Sequence, residues 1–181
     1  MQSSDDILKF WYSEPMKSHW FKSTPDIDAM ITEKYEFIWQ MAANGELDLW
    51  QDSPEGCLAL CIILDQFPLN MFRGQALAFS TEQHAVTVCK HAIVEDFDEQ
   101  IDKSQLSFLY MPLMHSENID DQDLGIARFE AAGLDDNARF AHHHRNLVHQ
   151  YGRFPHRNEI LGRESTPEEI EYLNSKSAFK G

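Results

Sequence analysis

Apolar residues recur along almost the whole chain at the three- and four-residue spacing of one helical face. No stretch alternates persuasively at the two-residue period of a half-buried strand. Ser4-Asp5-Asp6 predicts the cap of a first helix carrying Ile7, Leu8, Phe10, Trp11 and Tyr12, limited by Pro15. A loop with His19, Trp20 and Phe21 follows. Thr24-Pro25-Asp26 then supplies an N-cap, a proline at the first helical position and an acid in the first turn. The helix it opens buries Ile27, Ile31, Tyr35, Ile38 and Ala42, and Asn44-Gly45 ends it. Ser53-Pro54-Glu55 repeats the start signal. The run Cys57 to Leu64 that follows is apolar on every side, which predicts an enclosed, central helix. Pro68 disfavours helical geometry at Phe67, so a turn is expected there.

Further on, Ser80 or Thr81 is the expected cap of a helix through Ala85, Val88, Ala92 and Ile93. Ser104 opens a short helix with Leu106, Phe108, Leu109 and Tyr110, which Pro112 is expected to break. His115-Ser116-Glu117 turns into a helix with Leu124, Ile126, Ala127 and Phe129 that Gly133 closes. Asp135 or Asp136 caps a long helix to Gly152, and Thr166-Pro167-Glu168-Glu169 starts the last one. The chain after Asn174 is expected to fray. The pattern as a whole predicts an all-α chain: a compact antiparallel helical array in a single domain, residues 1–181.

At 181 residues and 43% hydrophobic composition the chain can bury a substantial core without metals or disulfides. The net charge of −15 argues against a sequence-independent nucleic-acid binder and against docking on anionic lipid. The N-terminal residues lack the basic and apolar regions of a signal peptide, and Cys57 to Leu64 is far short of the roughly 20 residues that span a bilayer. Cys57, Cys61 and Cys89 read as reduced, buried thiols of a cytoplasmic protein. No cofactor motif is present, and no metal is expected. Consecutive residues of the His142-His143-His144 run point about 100° apart on a helix, so they cannot all ligate one ion.

Positive charge concentrates between Gln150 and Glu169, where Arg153, Arg157 and Arg163 stand, with Arg139 and Arg145 just upstream. Within that stretch Arg153-Phe-Pro-His-Arg-Asn158 echoes Gln66-Phe-Pro-Leu-Asn70, and Ser165-Thr-Pro-Glu168 echoes Ser80-Thr-Glu82. These segments, with Phe10-Trp11-Tyr12, Leu64-Asp65, Arg73-Gly74, Met111-Pro112, His115-Ser-Glu117 and Tyr151-Gly152, resemble the bacterial family catalogued as domain of unknown function 924. The resemblance implies an all-helical, tetratricopeptide-repeat-like fold and no established activity. Leu69, where a basic residue is usual in the family, and Glu82, where Asp is more typical, depart from its pattern.

The candidate chemistry lies in the same segments. Asp65, at the end of the enclosed helix, needs a cation or a raised pKa, and Arg153 or Arg157 is the expected partner. A structural ion pair is the more economical role for such a pair. Trp11, Trp20, Phe67, Arg73, His115, His144, Arg153, His156 and Arg157 are the expected lining of a pocket for a small anionic or amphipathic molecule or a peptide carboxylate. The competing expectation is that each guanidinium pairs with one of the plentiful acids. On the helix from Asp136 to Gly152, His144 falls among apolar neighbours and reads as a core histidine. An enzyme, a hydrolase or lyase, would instead use Asp65, His115 or His156 as acid or base and Arg157 to stabilise negative charge. A third possibility is an interaction module that binds a partner segment in a groove between helices.

Overall fold

The start signals act locally, where they stand. Thr24 Oγ1 accepts the N–H of Ile27, Ser53 Oγ accepts that of Gly56, and Thr166 and Glu169 exchange the two bonds of a capping box. The first cap lies one residue earlier than expected, at Ser3, where Asp6 completes a second capping box. The Ser53 start also fixes a glycine, because a Cβ on Gly56 would stand 1.9 Å from the carbonyl oxygen of Trp50.

The computed structural model describes residues 2–179. Its helices are α1 (Ser4–Trp11), α2 (Met16–His19), α3 (Pro25–Ala43), α4 (Pro54–Cys61), α5 (Phe67–Met71), α6 (Glu82–Val94), α7 (Lys103–His115), α8 (Ile119–Ala131), α9 (Asp135–Tyr151) and α10 (Pro167–Leu173). The described residues contain no strand, and the class is all-α. No helix among them is long and apolar enough to cross a membrane.

Helix α4 is the axis of the packing. It lies against α1, α6 and α7, while α8 packs on α7 and α9 on α8. Every residue from Gly56 to Pro68 is buried, as the all-round apolar run requires. One core cluster spreads from this axis, and a smaller one, Leu147, Val148 and Phe154, forms beside it. Beyond Asn174, where fraying was expected, the chain turns back. The N–H of Phe179 donates to the Tyr172 hydroxyl at 2.8 Å, and the Phe179 ring joins the smaller cluster.

Two prolines do not end their helices as expected. The chain does not turn at Phe67: that residue is right-handed helical, at φ −59° and ψ −43°, and helix continues through Pro68 to Met71. Between α4 and α5 the residues Ile62–Gln66 form a π-helical turn, in which the N–H of Phe67 reaches back to the carbonyl of Ile62. Pro68 has no N–H to offer the carbonyl four residues earlier, Leu64. That oxygen accepts instead from Thr81 Oγ1 at 2.6 Å, and Thr81 Oγ1 in turn accepts from Trp39 Nε1 at 3.2 Å. The Thr81 hydroxyl is therefore occupied and does not cap α6 through its side chain. Pro112 likewise fails to end its helix, since α7 runs through it to His115.

The two Phe-Pro segments consequently differ in conformation. Phe67 is helical, whereas Phe154 is extended (φ −90°, ψ 108°) and follows Gly152, whose left-handed φ of 73° ends α9. The sequence echo is not a structural repeat.

Replacing Thr81 by Val leaves a buried carbonyl and a buried indole N–H without partners. It is expected to cost about 1–3 kcal/mol in urea unfolding, whereas Thr81→Ser keeps the hydroxyl and most of the stability.

Candidate functional site

The π turn sets where Asp65 points. Its carboxylate, 4% exposed, meets His115 at the last turn of α7, with Nδ1 2.8 Å from Oδ1 and 2.9 Å from Oδ2. Gln66 donates its side-chain amide to the same carboxylate. The expected cation was an arginine of the 153–157 segment; the observed partner is a histidine fifty residues away in sequence. Arg157 contributes at one remove. Its Nη2 donates to the carbonyl of His115 at 2.8 Å, and its Nη1 donates to Glu82 Oε2 at 2.8 Å. The guanidinium lies between the rings of Phe79 and Phe154, 4.4 and 4.7 Å from their centres.

Four ionisable groups from π turn, α6, α7 and the turn after α9 thus meet in one partly buried cluster. Burial alone would lower the His115 pKa, but the Asp65 charge and hydrogen bond outweigh it and leave it raised. Burial pushes the Glu82 carboxyl up to about 7, against the pull of Arg157 and with Asp65 adding its repulsion. His115 is the open end of the cluster: its side chain keeps 18% exposure, and Nε2 makes no hydrogen bond among the described residues. Asp65 can fix the proton on Nδ1, leaving Nε2 as acceptor when the ring is neutral and as donor when it is charged.

The other expected residues fall elsewhere. Trp11 and Phe67 are core side chains, joined edge to face at 5.7 Å and continued by Phe108 and Trp20. Arg73 pairs with Asp28 on the surface. Arg153 makes a two-pronged pair with Glu169, helping to hold that carboxyl down at about 2. His144 is buried, as expected, with Nδ1 2.8 Å from the Phe140 carbonyl. His156 packs against Phe154 and Phe179 rather than joining Asp65. Burial lowers both imidazoles to about 4. Arg163 grips Glu117 through two bonds, and Glu117 also accepts the N–H of Phe154 at 2.7 Å. Each arginine of the sequence has a carboxylate partner within the chain.

Glu82 was legible as part of the echo and as a departure from a family pattern, and Gln66 only as part of the echo. The Glu117–Arg163 clamp and the placement of Phe179 had no sequence signal. Glu82, the clamp and Phe179 depend on chain segments far apart in sequence, whereas Gln66 bonds its neighbour Asp65.

Residues 7–177 match the family described as "Bacterial protein of unknown function (DUF924)", and the chain belongs to it. Among solved structures it is similar to a protein of unknown function from Agrobacterium tumefaciens, at 36% identity and a TM-score of 0.88, covering 94% of this chain and 96% of that one. Curated proteins gave no match.

Removing one member of the buried Arg157–Glu82 pair, as in Arg157→Met, is expected to cost about 3–5 kcal/mol in chemical unfolding. Adding Glu82→Gln should recover part of that loss, and strictly additive losses would contradict the pairing. His144 and His156 bind fewer protons folded than unfolded between their lowered pKa of about 4 and the ordinary 6.5. Their contribution to stability is therefore full above 6.5 and is lost as pH falls toward 4. His156→Phe should flatten that part of the stability–pH curve.

Proposed function

We propose that this member of the family is an enzyme acting on a small molecule, a hydrolase or lyase, with His115 as its acid–base group and Asp65 as the carboxylate that orients it. The observation that carries this reading is the Asp65–His115 contact at 2.8 Å, in a buried setting, with the far ring nitrogen uncommitted. A histidine held in one tautomer by a buried carboxylate is the arrangement that lets its other nitrogen take a proton. In the hydrolytic case, Nε2 accepts a proton from water as the water oxygen bonds to an electrophilic centre, and the imidazolium returns that proton to the departing group. Arg157 holds the backbone of His115 and keeps Glu82 beside it, so Arg157 is a positioning residue in this scheme.

The site lies on α7, α6 and the π turn, and these rigid elements favour a preorganised arrangement over a flexible loop. An imidazolium at the open end would attract a small anionic or amphipathic ligand. A pocket built on free guanidinium groups has less support, because each is already paired. The three cysteines are free and buried, which fits the reducing cytoplasm. A second reading, capture of a peptide segment, draws support from an open groove of about 580 Å³ between α9 and α10, lined by Tyr151, Tyr172, Glu168 and Glu171.

The test is turnover across a panel of esters, amides and phosphoesters by the wild type, His115→Ala and Asp65→Asn. His115→Ala is expected to lower the rate on a productive substrate by about 10²–10⁴-fold. The wild-type rate should rise with pH through a midpoint above 6.5, the ordinary histidine value. Turnover that survives His115→Ala unchanged, or no turnover anywhere in the panel beside tight peptide capture, would replace this reading by the second.

A further inference from the structure

We infer that the socket between His144 and His156, floored by Phe154, is a binding site for an uncharged aromatic ring and is filled in this structure by the chain's own Phe179. The inference uses none of the acid–base residues, and either reading can fail without the other.

The socket is formed for a ring. The Phe179 ring centre lies 4.7 Å from that of His144 and 4.9 Å from that of His156, meeting both edge to face, and 6.0 Å from that of His143. Phe154 beneath is fully buried and meets His144 edge to face at 5.5 Å. Such edge-to-face contacts favour an aromatic occupant over an aliphatic one. The charged neighbours are already paired with one another, Glu117 with Arg163 and Arg157 with Glu82. With both imidazoles neutral near pH 7, nothing in the socket calls for a charged ligand.

Two buried polar atoms at this turn lack a hydrogen-bond partner among the described residues, Arg157 Nε and, on the socket wall itself, His156 Nδ1. His144 Nδ1, by contrast, is committed to the Phe140 carbonyl. A buried, unpartnered ring nitrogen is costly, and Phe179 offers it nothing. A ring carrying a hydroxyl would satisfy it, so a phenol is the ligand class that fits the socket better than Phe179 does.

Phe179 is also lightly moored. Asn174 to Ser177 are exposed, and among the described residues one main-chain hydrogen bond, to the Tyr172 hydroxyl, holds its backbone. The groove between α9 and α10 runs alongside, lined by His143, Leu147, Ser175 and Ser177, and leaves room for the segment to move aside. Phe179 thus competes with any external ring for the same seat, at an effective concentration on the order of millimolar.

The experiment titrates 4-methylphenol and toluene into the wild type and Phe179→Ala, following the ring resonances of His144 and His156 by NMR. Both proteins should bind 4-methylphenol with shifts at both histidines, Phe179→Ala about tenfold more tightly because the internal competitor is gone. Toluene should bind more weakly than 4-methylphenol, and His156→Phe should abolish that difference. Binding to Phe179→Ala with none to the wild type would mark a hole made by the substitution, and it would overturn the inference. So would the absence of binding to either protein. Should Phe179→Ala fail to fold, Phe179→Leu removes the ring while keeping most of the volume, and the wild-type titration decides on its own.

Discussion

A carboxylate enclosed in the middle of a helical core is the constraint around which this fold is arranged. Asp65 lies in the most deeply buried stretch of the chain, where an unpaired charge would cost several kcal/mol. A regular α-helix through Pro68 would leave the Leu64 carbonyl without its helical donor at the same place. The π turn and the Thr81 hydroxyl answer the second difficulty, and His115 with Gln66 answers the first. Two elements, α6 and α7, are tied to the α4–α5 axis through these contacts, and Arg157 fastens the turn after α9 to both of them. A single irregular turn therefore fixes both the packing and the placement of the reactive pair.

Charge is handled the same way throughout. With twice as many acids as bases in the sequence, each guanidinium finds a carboxylate. The pairs differ in consequence. Arg139–Asp136 lies on the exposed surface of α9, where such a pair contributes little. Arg157–Glu82 and Arg153–Glu169 are partly or wholly enclosed: the first, 75 residues apart in sequence, holds the turn after α9 to α6, and the second holds it to α10. Concentrated arginine in the 153–163 stretch signals a fastening of helix ends rather than an open anion seat.

The sequence was informative where the physics is local. Ser53-Pro54, Thr24-Pro25 and Thr166 through Glu169 mark helix starts because each cap needs only residues three positions away. The all-round apolar run marked the central helix for the same reason. Prolines misled the reading, since a missing N–H ends a helix only if nothing else supplies the orphaned carbonyl. For Leu64 the donor is Thr81, seventeen residues on. Asp65 and His115 were both recognisable as chemistry, but their meeting depends on how α7 lies across the axis, which no spacing encodes. Phe179 was invisible because a lone aromatic in a polar tail carries no periodicity.

The most direct measurement is the titration of the His115 ring by NMR in the wild type and in Asp65→Asn. If the buried carboxylate governs that imidazole, the wild-type midpoint lies above the ordinary 6.5, and the substitution drops it below that value as burial takes over. A midpoint that is the same in both proteins would contradict the account.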